Sequence, residues 1–173
     1  MSSAFIIRKL VTSDINALLL LYENVYKTTN SMVKSWIEQC PDQETFCAEL
    51  RTLINNPDGL FLAAATETQL LGYISIQPRS PARLRHTADL SMGLHANARG
   101  KGVGRQLLQF ALNQATHHSS LEIIYLMVRA DNTSAIKLYQ TNGFKIITTL
   151  EKDTKVGDQY FDGVLMSYWL TKY

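Results

Sequence analysis

Arg99-Gly100-Lys101-Gly102-Val103-Gly104 lies between an apolar run, Leu90 to Leu94, and a helical pattern that opens near Val103. A glycine-rich turn feeding a helix N-terminus is built for anions. Glycine admits positive φ and lets backbone approach a ligand closely. The first helical turn leaves amide N–H groups without partners, and the aligned peptide dipoles add partial positive charge there. Arg99, Lys101 and Arg105 add full charges. The stretch therefore suits a phosphate or pyrophosphate.

Two common phosphate motifs are excluded. No G-x-x-x-x-G-K-[ST] string occurs, so there is no P-loop. Gly100 and Gly102 begin a G-x-G-x-x-G dinucleotide fingerprint, but Arg105 stands where its third glycine belongs. The residues do satisfy R-x-x-G-x-G, at Arg99, Gly102 and Gly104. That string alone divides evenly between a ligand loop and an ordinary turn, so the rest of the chain must decide.

Upstream, Phe5 to Leu10 reads as a strand, and Thr12-Ser13-Asp14 offers caps for a helix running to about Tyr26. Met32 to Cys40 is ambiguous, with room for a short helix. Asp42 caps a helix from Gln43 to about Ile54, closed by the turn cluster Asn55 to Gly59. Leu60–Thr66 and Leu70–Gln77 read as a hairpin. A loop from Pro78 to Arg85 carries Arg79, Arg83 and Arg85, and His86 to Leu94 follows as a strand. Downstream, Val103, Leu107, Leu108, Ala111, Leu112 and Ala115 repeat at helical spacing as far as His117-His118-Ser119-Ser120. Glu122 to Val128 is a continuous apolar strand of the doubly covered kind. Asp131 or Asn132 caps a helix that stops at Asn142-Gly143. Phe144–Leu150 and Tyr160–Leu170 form a final antiparallel hairpin around the turn Val156-Gly157-Asp158. The order β-α-α-β-β-β-α-β-α-β-β predicts an α/β chain with one mixed sheet and helices on both faces. The strand–helix–strand units from His86 and Glu122 are expected to be parallel and most buried.

Bulk properties agree with a single globular domain over residues 1–173. Hydrophobic residues make up 46% and charged residues 18%, which excludes a disordered chain. A net charge of +2 is too small to argue for nucleic acid. The apolar run Ala17 to Leu21 is too short to span a membrane, and the N-terminus lacks the pattern of a signal peptide. Two cysteines, Cys40 and Cys47, make neither a disulfide framework nor a zinc motif. A cytoplasmic location with reduced thiols is expected.

Two separated blocks carry a family resemblance. Leu90 to Gly104 is similar to the fourth strand and pyrophosphate loop of the GNAT family of N-acetyltransferases. Val128 to Tyr139 with Gly143-Phe144 is similar to that family's fifth strand and following helix. It supplies N-x-x-A-x-x-x-Y-x-x-x-G-F at Asn132, Ala135, Tyr139, Gly143 and Phe144. The likeness covers residues 86 to 145. Gly157 to Asp162 and Met166 resemble a subgroup that includes amino-acid N-acetyltransferases, whereas the first 80 residues match only in element order. Ala96 departs from the pattern, which often has proline there.

The resemblance implies the acyl-CoA N-acyltransferase fold and transfer of acetyl from acetyl-CoA to a primary amine, with no metal. In the family the fourth and fifth strands splay apart, and pantetheine pairs with the fourth, here Met92, Gly93 and Leu94. The pyrophosphate is then expected on the amides of Arg99, Gly100, Lys101, Gly102, Val103 and Gly104. Asn132 and Tyr139 stand two helical turns apart and share a face. The resemblance gives Asn132 a bond to the pantetheine arm and makes Tyr139 the proton donor to the leaving thiolate. Taken without it, Asn132 reads as a helix cap and Tyr139 as a core aromatic.

An ammonium acceptor must lose a proton before it attacks. Asp89 is the candidate base, acting through water, with a structural ion pair as its other reading. His86, three residues earlier, falls on the opposite strand face. The His117-His118 pair reads as a helix terminus. Arg79, Arg83 and Arg85 are candidates to hold a substrate carboxylate, and Tyr26 and Trp36 to line the pocket. The expected acceptor is a small-molecule amine such as an amino acid, with a protein N-terminus or lysine as the alternative. An inactive CoA-binding sensor is the competing class, which the presence of Tyr139 disfavours. A homodimer is compatible with this architecture, and neither a nucleic acid nor a membrane partner is expected.

Overall fold

The computed structural model describes residues 4–117 and 120–170. The apolar runs become seven strands: β1 (Ile6–Lys9), β2 (Leu60–Ala65), β3 (Leu70–Pro78), β4 (Thr87–Leu94), β5 (Ile123–Arg129), β6 (Lys145–Val156) and β7 (Gln159–Trp169). They form one sheet in the order β1-β2-β3-β4-β5-β7-β6. Every neighbouring pair is antiparallel except β4 with β5.

Among the described residues five α-helices accompany the sheet: α1 (Ile15–Thr28), α2 (Trp36–Gln39), α3 (Gln43–Ile54), α4 (Val103–Thr116) and α5 (Thr133–Thr141). The strands show why two layers of helix are needed. On β2, Leu60, Leu62 and Ala64 enter a core shared with α4, while Phe61, Ala63 and Ala65 enter a second core with α1 and α3. Side chains alternate across a strand, so a strand apolar at every position must be covered on both faces. Caps set the helix starts: Asp42 Oδ2 accepts from the Thr45 amide at 2.7 Å ahead of α3. The ambiguous segment before it resolves into α2, opened by a reciprocal Ser35–Glu38 cap.

The expected mixed sheet with helices on both faces is present, with one rearrangement. β7 inserts between β5 and β6, so the β5–α5–β6 unit contains no adjacent parallel pair. Burial explains the order. Val164 and Met166 on β7 are core residues, whereas β6 is exposed along nearly its whole length. The apolar strand takes the inner place and the polar one takes the edge. β6 also runs past Leu150 to Val156, through an irregular pairing between Leu150 and Thr154. There Lys152 has φ 54, and its amide donates to Asp162 Oδ1 at 2.9 Å. α4 ends near His117; His118 and Ser119, the rest of that expected helix stop, lie outside the described residues, as do residues 1–3 and 171–173.

The parallel pair is short, and this positions the site. β4 meets β5 only at Thr87–Ile123, Ala88–Ile124 and Asp89–Tyr125. Beyond Asp89, β4 continues with β3 as far as Leu94, and β5 continues with β7 as far as Arg129. The two strands part, leaving one edge of β4 from Leu90 onward without a strand partner. Backbone polar groups in such a gap need something to bond.

Candidate active site

The gap opens into a cleft of about 1070 Å³, lined on one side by Leu90 to Leu94 and on the other by Leu126 to Val128. Its floor and its two ends come from different parts of the chain.

At one end is the glycine turn. Gly100 and Gly102 have φ of 70° and 80°, the left-handed region that an L side chain resists. This conformation turns the chain into α4, and the amides of Gly100 to Arg105 donate to no protein acceptor among the described residues. A row of free N–H groups at the start of a 14-residue helix is an anion cradle. Gly104 serves differently: a Cβ there would come 2.9 Å from Leu94 Cδ1, so its bare backbone lets α4 close on β4. Val103 is buried in the core and offers only its amide. Lys101 is exposed on the turn.

Arg99 is engaged by the fold. Its Nε donates to the Leu94 carbonyl at 3.2 Å, Nη1 to the Thr28 carbonyl at 3.0 Å, and Nη2 to Thr28 Oγ1 at 2.7 Å. Its amide donates to the Ala96 carbonyl at 3.3 Å. The motif's arginine ties the turn to the end of α1, and the free amides begin one residue later.

α5 supplies the opposite wall. Asn132 is its N-cap: Oδ1 accepts from the Ala135 amide at 3.3 Å and from the Ser134 hydroxyl at 3.1 Å. That leaves Nδ2 with no protein acceptor among the described residues while Asn132 lines the cleft. The cap reading and the ligand reading thus use different atoms of one amide. Tyr139 lines the cleft too and is only 7% exposed, its ring 5.5 Å from that of Phe144. Burial pushes its phenol up to about 12, so it stays protonated at ordinary pH.

The far end is built by the segment after α1, including Thr29, Ser31, Met32, Val33 and Lys34, together with Tyr26, Gln39, Arg79, Asp89 and Tyr125. The Tyr26 hydroxyl donates to Gln39 Oε1 at 3.0 Å. Arg79 grips Asp89 with Nη2 2.6 Å from Oδ1 and Nε 3.0 Å from Oδ2, and its guanidinium lies 4.8 Å above the Tyr125 ring. Asp89 and Tyr125 sit side by side on the last residues of the parallel pairing.

Met92, Gly93, Leu94, Arg99, Gly100, Gly102, Gly104, Asn132, Tyr139, Asp89, Arg79 and Tyr26 therefore gather on one cleft. His86 does not: its carbonyl accepts from the Glu122 and Ile123 amides at the strand start. Arg83 and Arg85 are exposed at a 3-10 turn away from the cleft, and Trp36 packs edge-on against Phe46. Ser134 and the residues Thr29 and Ser31 to Lys34 are cleft residues for which sequence pattern gave no site signal; Arg105, read as a charge beside the turn, lines the cleft as well.

The family model of the acetyltransferase (GNAT) family matches residues 24–144. The chain belongs to that family. It is an N-acetyltransferase of the GNAT type. Among GNAT relatives, L-amino acid N-acetyltransferase AaaT of Escherichia coli is 26% identical over 115 residues, 66% of this chain and 71% of that one. The L-methionine sulfoximine/L-methionine sulfone acetyltransferase of Pseudomonas aeruginosa is 27% identical over 141 residues, 81% of this chain and 80% of its own. A solved structure of yncA, a putative acetyltransferase from Salmonella typhimurium with its cofactor acetyl-CoA, superposes with a TM-score of 0.84 at 22% identity. It covers 99% of this chain and 96% of that one.

Proposed function

We propose that the cleft acetylates the primary amine of a small acceptor that also carries a carboxylate, an amino acid being the simplest. The observation that carries this reading is the charge of the cleft end away from the glycine turn. Among the described residues lining the cleft, Asp89 is the one acid, and it is held by Arg79; with Lys34 beside them that end carries two bases to one acid, while Arg99 and Arg105 belong to the turn at the other end. A polyamine would bring cations against cations. An amino acid brings a carboxylate to the Arg79 fork or to Lys34, and an ammonium to Asp89. The relatives named for an L-amino acid and for methionine sulfoximine support the same class.

Acetyl-CoA supplies an acetyl group activated as a thioester. The free amides from Gly100 to Arg105 and the unpaired edge of Met92 to Leu94 fit its pyrophosphate and amide-bearing arm. Asn132 Nδ2 is the donor available to that arm. For transfer, the acceptor nitrogen loses a proton and bonds to the acetyl carbon as the carbon–sulfur bond breaks. We assign Asp89 to receive the nitrogen's proton through water, and Tyr139 to donate to the departing sulfur. The free cysteines Cys40 and Cys47 fit a reducing, cytoplasmic setting, and no helix among the described residues is long and apolar enough to cross a membrane.

Thiol release from acetyl-CoA, measured with a panel of L-amino acids, polyamines and N-terminal peptides, tests the assignment. Turnover of amino acids well above the other two classes is expected. Turnover confined to polyamines or peptides would overturn it.

A further inference from the structure

Arg129 is the one buried ionisable residue among those described that carries a full charge at neutral pH, with its side chain 4% exposed. It does not line the cleft. Each of its three guanidinium nitrogens nonetheless donates to a protein acceptor. Nε donates to Asp131 Oδ1 at 2.8 Å, Nη2 to Asp131 Oδ2 at 2.5 Å, and Nη1 to the Asn30 carbonyl at 2.7 Å. The Phe161 ring lies 3.7 Å beneath it. Asn30 is far away in sequence and begins the segment that walls the acceptor end.

The opposite strand does the same thing. At the end of β4, Arg99 donates to the carbonyl and hydroxyl of Thr28, two residues before Asn30. The Ala96 amide reaches back to Asn24 Oδ1 on α1 at 2.9 Å. Arg99, in the turn beyond β4, and Arg129, the last residue of β5, thus hold the same short stretch of chain. Two of the three acceptors, the Thr28 and Asn30 carbonyls, are main-chain, so most of the grip is independent of the side chains in the segment. A buried guanidinium is tolerated only when its N–H groups are satisfied, so undocking the segment would leave Arg129 with an unpaired donor. The docked position is therefore strongly preferred.

We infer that Arg99 and Arg129 form a clasp on Thr28–Asn30 that positions the acceptor wall, with Arg129 a positioning residue for acceptor recognition and not for cofactor binding. The connection to acceptor binding rests on the reading of the cleft given above. The clasp itself does not. It ties the turn beyond β4 and the end of β5 to one stretch of chain, so the placement of residues 29–34 is set from both. Ser31, Met32, Val33 and Lys34 follow directly from the clasped residues and face the acceptor end of the cleft.

Trypsin offers a readout that needs no acceptor, because Lys27 and Lys34 flank the clasped stretch. In Arg129→Met, the peptide 28–34 should be released on the order of tenfold faster than in the parent, since the segment's opening no longer breaks a buried bond. Arg129→Lys should fall between the two, because an ammonium cannot serve Asp131 and Asn30 with the same fork. Thr28→Val, which removes one acceptor of Arg99 from an exposed position, should show a smaller rise. Acetyl-CoA affinity by calorimetry should stay within about twofold in all three, while KM for an accepted amino acid rises about tenfold in Arg129→Met with kcat largely kept. Unchanged release of 28–34 in Arg129→Met and Thr28→Val overturns the clasp. So does a rise shared equally by cleavage after Arg51 and Lys152, which would mean general loosening. If the parent turns over no amino acid, the proteolysis still decides the clasp and only the acceptor assignment falls.

Discussion

Arg79 and Asp89 meet as a fork on a carboxylate, 2.6 Å apart at the closest, at the last β4–β5 pairing, where the cleft opens. The pair is exposed enough that its own contribution to stability is small, so substitutions in it can test the proposed roles in recognition and proton transfer without unfolding the chain. Asp89→Asn should lower kcat by about 10²-fold, in the range typical of a lost general base, and leave acetyl-CoA affinity unchanged. Arg79→Gln should raise KM for amino acids about tenfold and spare amines that lack a carboxylate. Steady-state kinetics with matched acceptor pairs decides both; an Asp89→Asn enzyme of normal kcat would return that residue to a purely structural ion pair.

Gly102 needs its missing side chain for conformation, not for room. Its φ is 80° and a Cβ would meet nothing within 4 Å. Gly102→Ala should therefore destabilise by about 1–2 kcal/mol, lowering Tm by about 2–8 °C. Asn, which tolerates the left-handed region, should cost less. Gly102→Glu adds a negative charge to the anion cradle and should weaken CoA by more than tenfold. Calorimetric titration with CoA checks this series, and a Glu variant that binds like the parent would remove the pyrophosphate from this turn.

Tyr139 should be separable from binding. Tyr139→Phe keeps the ring against Phe144 and loses only the hydroxyl, so acetyl-CoA affinity is expected within about twofold while kcat falls by about 10²-fold. The phenol titrates at about 12 because burial disfavours the phenolate. A spectrophotometric titration of the variant should accordingly lose one late-ionising tyrosine. Undiminished turnover would end the acid assignment.

Acid should loosen the first strand from the first helix. Arg8 Nη1 and Nη2 stand 2.6 and 2.8 Å from the Asp14 carboxylate, which also accepts the Val11 amide at 2.9 Å. Hydrogen bonding from Arg8 holds the Asp14 carboxyl below the usual aspartate range. The native state thus favours the ionised form: its stabilisation is complete above the unfolded pKa of about 4 and is lost as pH falls through the lower native value. Asp14→Asn should melt earlier than the parent near neutrality, and the gap should close toward pH ~3. A gap that persists unchanged in acid, by scanning calorimetry, would exclude this linkage.

Family and fold were readable because their signals are local. The Arg99–Gly104 turn, the Asn132–Tyr139–Gly143–Phe144 spacing and the apolar periodicities are each set by a few adjacent residues with fixed backbone geometry. They named residues that the fold gathers on one cleft, and the parting of β4 from β5 agrees with what the resemblance implied. Asn132 carried both a cap reading and a candidate-ligand reading because a terminal amide has two ends; the cap is the one the structure shows.

What stayed hidden depends on residues brought together only in three dimensions. The exchange of β6 and β7 follows from which strand has an apolar face to bury, a comparison across the whole hairpin. The capture of Asp89 by Arg79, and of Thr28 and Asn30 by Arg99 and Arg129, joins positions whose spacing has no period. The sequence by itself determined a GNAT chain with an anion-binding turn, since glycine conformation and helix-end polarity act over one or two turns of backbone. Only the tertiary structure decided that the motif's Arg99 is consumed by the fold and that Arg79 and Lys34 share the cleft with Asp89. Side-chain partners depend on distance in space, and packing alone sets that distance.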